Sequence, residues 1–86
     1  MDDIVYDLFE TTMRDGKGYS KNIGAYLGRK LAVEHMAKYA NQKYDDLVKT
    51  NHTELEIKQY KDCVIIKCGD NSTSYEYVIR EFKNDK

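Results

Sequence analysis

Two cysteines, two histidines and a glycine-rich basic stretch are the residues of this 86-residue chain whose types could do chemistry. Cys63 and Cys68 stand five apart. On one strand that odd spacing sends their side chains to opposite faces, so they share neither a metal nor a disulfide. His35 and His52 are each alone in the sequence. A lone histidine on an apolar helix face reads as a packed residue rather than a ligand. Asp70-Asn71-Ser72 lacks the ligand spacing of a calcium loop and reads as a turn. No Ser-His-acid or Cys-His set assembles from the spacing. The expectation is a non-enzyme with no metal and no cofactor.

The stretch "GKGYSKNIGAYLGRK", residues 16–30, holds four of the five glycines. A phosphate loop would need a third glycine after G-x-G and a strand before it, but that glycine is missing and a helix is expected there; the full G-x-x-x-x-G-K-[ST] pattern is absent as well. Gly24 and Gly28, four apart, read instead as a small-residue pair inside a helix, where another backbone packs closely. Arg14, Lys17, Lys21, Arg29 and Lys30 form the local basic cluster around that helix's start. Such an end favours anions, and Tyr19 and Tyr26 offer rings for stacking on bases. Nucleic-acid binding through residues 14–30 is therefore one alternative function. A small-molecule sensor with a cavity near Gly24 and Gly28 is another.

Composition limits both alternatives. The formal charge is −1, with 34% charged and 41% hydrophobic residues. That balance exerts no global pull toward nucleic acid, which makes it the less favoured partner, and it belongs to a folded chain. A chain of this size buries roughly 60–65% of its unfolded surface, so its core is small and oligomerisation is an obvious support. The start "MDDIVYDLFE" carries acid where a signal peptide carries base, and no apolar run reaches membrane-spanning length. The expected compartment is cytoplasmic, with no membrane partner. The sequons at Asn51 and Asn71 are then chance matches.

The elements that must position these residues read as follows. Ile4, Val5, Leu8, Phe9, Thr12 and Met13 repeat as a helical stripe, giving a first helix over 2–14 that Gly16 ends. After a loop over 17–21, Ser20 caps a second helix to about Ala40. Residues 43–49 either add a short third helix or continue the second. From Thr53 the period changes, and "ELEIKQY", "CVIIKC" and "SYEYVIREF" read as three strands. The expected fold class is α+β: two N-terminal helices packed on one face of a C-terminal three-stranded antiparallel meander. It forms one domain over 1–86, helical over 2–49 and sheet over 53–82.

A two-residue turn at Lys61-Asp62 fixes the first hairpin, with Lys58 beside Ile65, Ile57 beside Ile66 and Glu56 beside Lys67. The third strand fits with Tyr77 beside Ile66 and Ile79 beside Val64. The face away from the helices then carries Tyr60, Cys63, Ile65, Lys67, Val78 and Arg80, apolar residues rimmed by charge. The stretch "IGAYLGRKLAVEHM" followed by a hairpin resembles the glycine-spaced helix of small-molecule-sensing domains of the four-vinyl-reductase type. The likeness covers a third of the chain, and the C-terminal part of such domains has no counterpart here, so no residue role is carried over. The favoured function is a small non-enzymatic interaction module that binds and blocks a protein partner, in the manner of phage or mobile-element inhibitors of host defence. A second copy of the chain is the other protein partner considered.

Overall fold

The computed structural model describes residues 4–50, 54–69 and 73–83. Its first element is a strand, β1 (Ile4–Arg14), which turns at once into β2 (Lys17–Leu27). The turn is Asp15-Gly16, with φ of 53° and 81°. Positive φ at both central residues is what a tight hairpin turn of matching twist requires, and Asp-Gly supplies it at low cost. The helix expected over 2–14 is thus corrected to a strand. The stripe that suggested a helix, residues 4, 5, 8, 9, 12 and 13, is also a strand pattern. Positions four apart share a strand face, so Ile4, Leu8 and Thr12 lie on one side and Val5, Phe9 and Met13 on the other. β-Branched and aromatic residues then favour the extended form.

The expected second helix is corrected as well: its first part, up to Leu27, is β2. A helix there would carry the cost of Gly24 in its interior, whereas a strand pairs the segment along β1. The pairing shifts between Leu8 and Phe9, opposite Gly24 and Asn22. The extra residue, Ile23, packs against the core. The helix begins only after Gly28, whose φ of 93° and ψ of 141° suit glycine alone. This α1 (Arg29–Lys49) runs 21 residues without a break, so 43–49 is its last part and not a separate helix. It buries Ala32, Met36, Ala40 and Leu47 on one stripe. Thr50 closes it, its hydroxyl donating to the carbonyls of Asp46 and Leu47 at 3.1 Å each. The stretch likened to a glycine-spaced helix is half strand and half helix.

Three further strands follow, β3 (Glu56–Gln59), β4 (Cys63–Lys67) and β5 (Thr73–Lys83). The sheet therefore has five strands, not three, in the order β2-β1-β5-β4-β3. Every neighbouring pair is antiparallel. α1 connects the two edge strands and so crosses one face of the sheet. The β3–β4 register is the one the Lys61-Asp62 turn implies: Glu56 pairs with Lys67, Ile57 with Ile66 and Lys58 with Ile65. β5 is displaced by two residues from the expected register, with Tyr77 beside Val64 and Tyr75 beside Ile66. A shift of two leaves each side chain on its expected face. The cause is β1, which holds β5 along all eleven of its residues. Under the helix lie Leu8, Val64, Ile66, Cys68, Tyr77 and Ile79, packed with the apolar stripe of α1.

Candidate interaction surface

Nothing among the described residues covers the other face of the sheet. Its side chains can be read off the ladder as rows running across the strands. Leu27, Val5 and Phe82 form the first row, and Ala25, Asp7 and Arg80 the second. The third row is Asn22, Phe9, Val78 and Cys63. The fourth is Ser20, Thr11, Glu76, Ile65 and Lys58, and the fifth Gly18, Met13, Ser74, Lys67 and Glu56. Phe9, Val78, Cys63 and Ile65 are contiguous and half-buried only by one another and their neighbours. At the end of the face Leu27 and Phe82 stand open, 71% and 57% exposed. An antiparallel sheet with one face on a core usually turns polar residues outward, and this apolar band departs from that pattern.

Charge rims the band. Arg80 is exposed and holds its guanidinium 5.7 Å from the centre of the Phe9 ring. Glu76 flanks Val78 on the other side. Lys58 and Glu56 pair at 3.3 Å on the outer edge, and Thr11 and Ser20 share a hydroxyl hydrogen bond of 2.7 Å. Tyr60, half exposed at the turn, donates its backbone N–H to the Cys63 carbonyl at 2.8 Å. Cys63 belongs to this band while Cys68 lies in the core, on the opposite face. Burial, helped by the Glu76 and Asp62 carboxylates, pushes the Cys63 thiol above its ordinary pKa, which suits a packed thiol and not a nucleophile. Of the residues read from the sequence, Cys63, Ile65, Lys67, Val78 and Arg80 share this face. Phe9, Val5, Leu27 and Met13 were missed because their strands read as helices, and the Asp-Gly turn was the signal that would have found them; Phe82, on a segment that reads as a strand, lies past the end of the β4 pairing and is placed on the face only by Val5 of β1.

The basic cluster does not assemble. Arg14 and Lys17 face each other at the tip of the β1–β2 hairpin. Arg29 and Lys30 follow the far end of β2, roughly 36 Å away along an eleven-residue strand. Lys21, midway, sits 3.6 Å from Glu10 on the helix side. Arg29 is bound to Asp62 at 2.5 Å and to the Lys61 carbonyl at 3.0 Å, which ties the start of α1 to the β3–β4 turn.

The helix side holds the other features. The Tyr77 hydroxyl donates to Glu10 at 2.5 Å. Beside it lies an open cleft of about 260 Å³ lined by Glu10, Thr12, Tyr19, Ser20 and Lys21. Neither Gly24 nor Gly28 lines it. His35 stacks on Tyr26 with ring centres 4.3 Å apart, a packed histidine. Among the described residues no three His, Cys, Asp or Glu converge as metal ligands. No helix there is long and apolar enough to cross a membrane. His52, the sequon asparagines Asn51 and Asn71 and the Asp70-Asn71-Ser72 turn lie outside the described residues. No family model, curated protein or solved structure matches the chain.

Proposed function

We propose that the chain is a small non-enzymatic interaction module whose open sheet face is its binding surface. The observation that supports this is the continuous Phe9–Val78–Cys63–Ile65 band, uncovered by any of the described residues and rimmed by Glu76, Arg80 and Lys67. An apolar centre inside a polar rim is the anatomy of an interface, and burying such a band on a partner recovers about 25 cal/mol per Å² of apolar surface. This geometry supports function by occupation of a partner's surface. The dispersal of the basic residues supports this reading over nucleic-acid binding.

The test is the double substitution Ile65→Asp with Val78→Lys. Both residues lie away from the helix, so the circular dichroism spectrum and the melting temperature stay near the parent's. Partners captured by the parent from cells that express it are lost by the variant. Capture of the same proteins in the same amounts by a folded variant refutes the surface. A variant that unfolds refutes the placement of these residues outside the core, a result that Val78→Thr alone would then confirm or reverse.

A further inference from the structure

The rim of the open face has a symmetry of its own. On β5, Glu76 and Arg80 stand two residues either side of Val78 and point to the same side of the sheet. We infer that the occupant of this face is a second copy of the chain, packed sheet on sheet about a twofold axis that crosses β5 at Val78. This rests on the reading of the face as an interface and names its partner.

The geometry follows from the ladder. A twofold axis lying across the strands at Val78 reverses the order of the rows. It sets Glu76 of one copy over the partner's Arg80, and Arg80 over the partner's Glu76. The third row, with Phe9, Val78 and Cys63, then faces its own image and forms a dry centre. Two sheets facing each other in this way sit about 10 Å apart. The charges on the face are mixed, with Asp7, Glu76 and Glu56 set against Arg80, Lys67 and Lys58. A surface that must meet itself needs such a balance, because a face of one sign would repel its copy. The axis lays the three eleven-residue strands over their own copies along their whole length, while β4 meets its copy only at Cys63. The overlap is roughly 520 Å² per partner, about 1,000 Å² in total, the lower bound for a specific interface.

Charge reversal tests the pairing, because only a self-complementary face can be repaired by swapping its own charges. The readout is sedimentation velocity of the full chain across a concentration series, with circular dichroism melts to verify folding. The parent dimerises. Glu76→Arg and Arg80→Glu each place like charges opposite one another and raise the dimer dissociation constant by at least about tenfold. The double variant Glu76→Arg with Arg80→Glu restores it to within about threefold of the parent. Glu76→Gln, which removes the pair without adding repulsion, weakens the dimer less than Glu76→Arg. A parent that stays monomeric at every concentration overturns the self-association. The wider reading of the face as an interface then still stands or falls on the Ile65→Asp and Val78→Lys capture. A dimer that the single reversals leave intact, or that the double swap does not restore, overturns the axis at Val78.

Discussion

Tyr77→Phe removes one oxygen atom from the centre of the domain, and its consequences can be worked out in some detail. Tyr77 is 1% exposed and donates to Glu10, whose side chain is 15% exposed and also lies near Lys21. A hydrogen bond to a charged acceptor contributes about 1.5–3 kcal/mol. The cleft beside Glu10 lets water replace part of what is lost, which places the cost at the low end, about 1–2 kcal/mol. With a urea slope of about 1 kcal/mol per M for a small domain, the denaturation midpoint falls by about 1–2 M. The pH dependence sharpens the test. Burial first, then the hydrogen bond and charge of Glu10, push the Tyr77 pKa well above the ordinary tyrosine value, so the folded state keeps its proton. The unfolded state loses that proton near pH 10. The contribution is therefore complete below about pH 10 and declines above it, by about 1.4 kcal/mol per pH unit. The phenylalanine variant lacks this decline, so the stability gap between the two proteins closes near pH 11. Urea titrations of both at pH 8, 10 and 11 measure it. A gap that is absent at pH 8, or constant from pH 8 to 11, refutes the assignment of a buried, protonated Tyr77.

The two glycines flanking Tyr26 separate backbone cost from packing cost. Gly28→Ala meets nothing within 4 Å but must hold a φ of 93°, and it destabilises by about 1–3 kcal/mol with the near-ultraviolet dichroism of the Tyr26–His35 stack unchanged. A methyl at Gly24 meets the Tyr26 ring, its Cζ at 2.7 Å, so Gly24→Ala costs a similar amount while altering that dichroism. The thiols differ by access: iodoacetamide at pH 7.5 modifies Cys63 more slowly than a free thiol, and Cys68 only after unfolding, as mass spectrometry of timed samples reports.

The C-terminal half was legible and the N-terminal half was not, for reasons that particular residues explain. Between Glu56 and Lys67 a two-residue turn and the alternation of β4, where Val64 and Ile66 are buried and Cys63, Ile65 and Lys67 are not, fix one another, and the register followed. In β1 the alternation is hidden because both faces are apolar: Leu8 looks to the helix and Phe9 to the open side. Two apolar neighbours followed by two polar ones satisfy helix and strand alike, and only the Asp15-Gly16 turn breaks the tie. Taking Gly16 as the end of a helix misread both β1 and β2, and so removed the partner that sets the register of β5. The outer placement of Cys63, Ile65 and Val78 survived that error because a slip of two residues does not change faces. What could not be read was the extent of the bare face, since half of it is made by the strands taken for helices.

The order of the strands also carries a consequence for how the chain acquires its structure. β5 is the last element in sequence and the middle one in the sheet, the seam between the β1–β2 hairpin and the β3–β4 hairpin. Each hairpin is local and can close early. Neither can join the other until Thr73–Lys83 slides between them, and its pairs with β1 join residues such as Leu8 and Ile79 across almost the whole chain. Folding therefore waits on long loop closure and falls toward the slow, millisecond-to-second range of non-local β proteins. During that wait β1 and β4 each present an unpaired edge, and a β5 donated by a neighbouring molecule would fit the gap as well as the chain's own. Domain exchange through β5 is thus the characteristic hazard of this topology at high concentration.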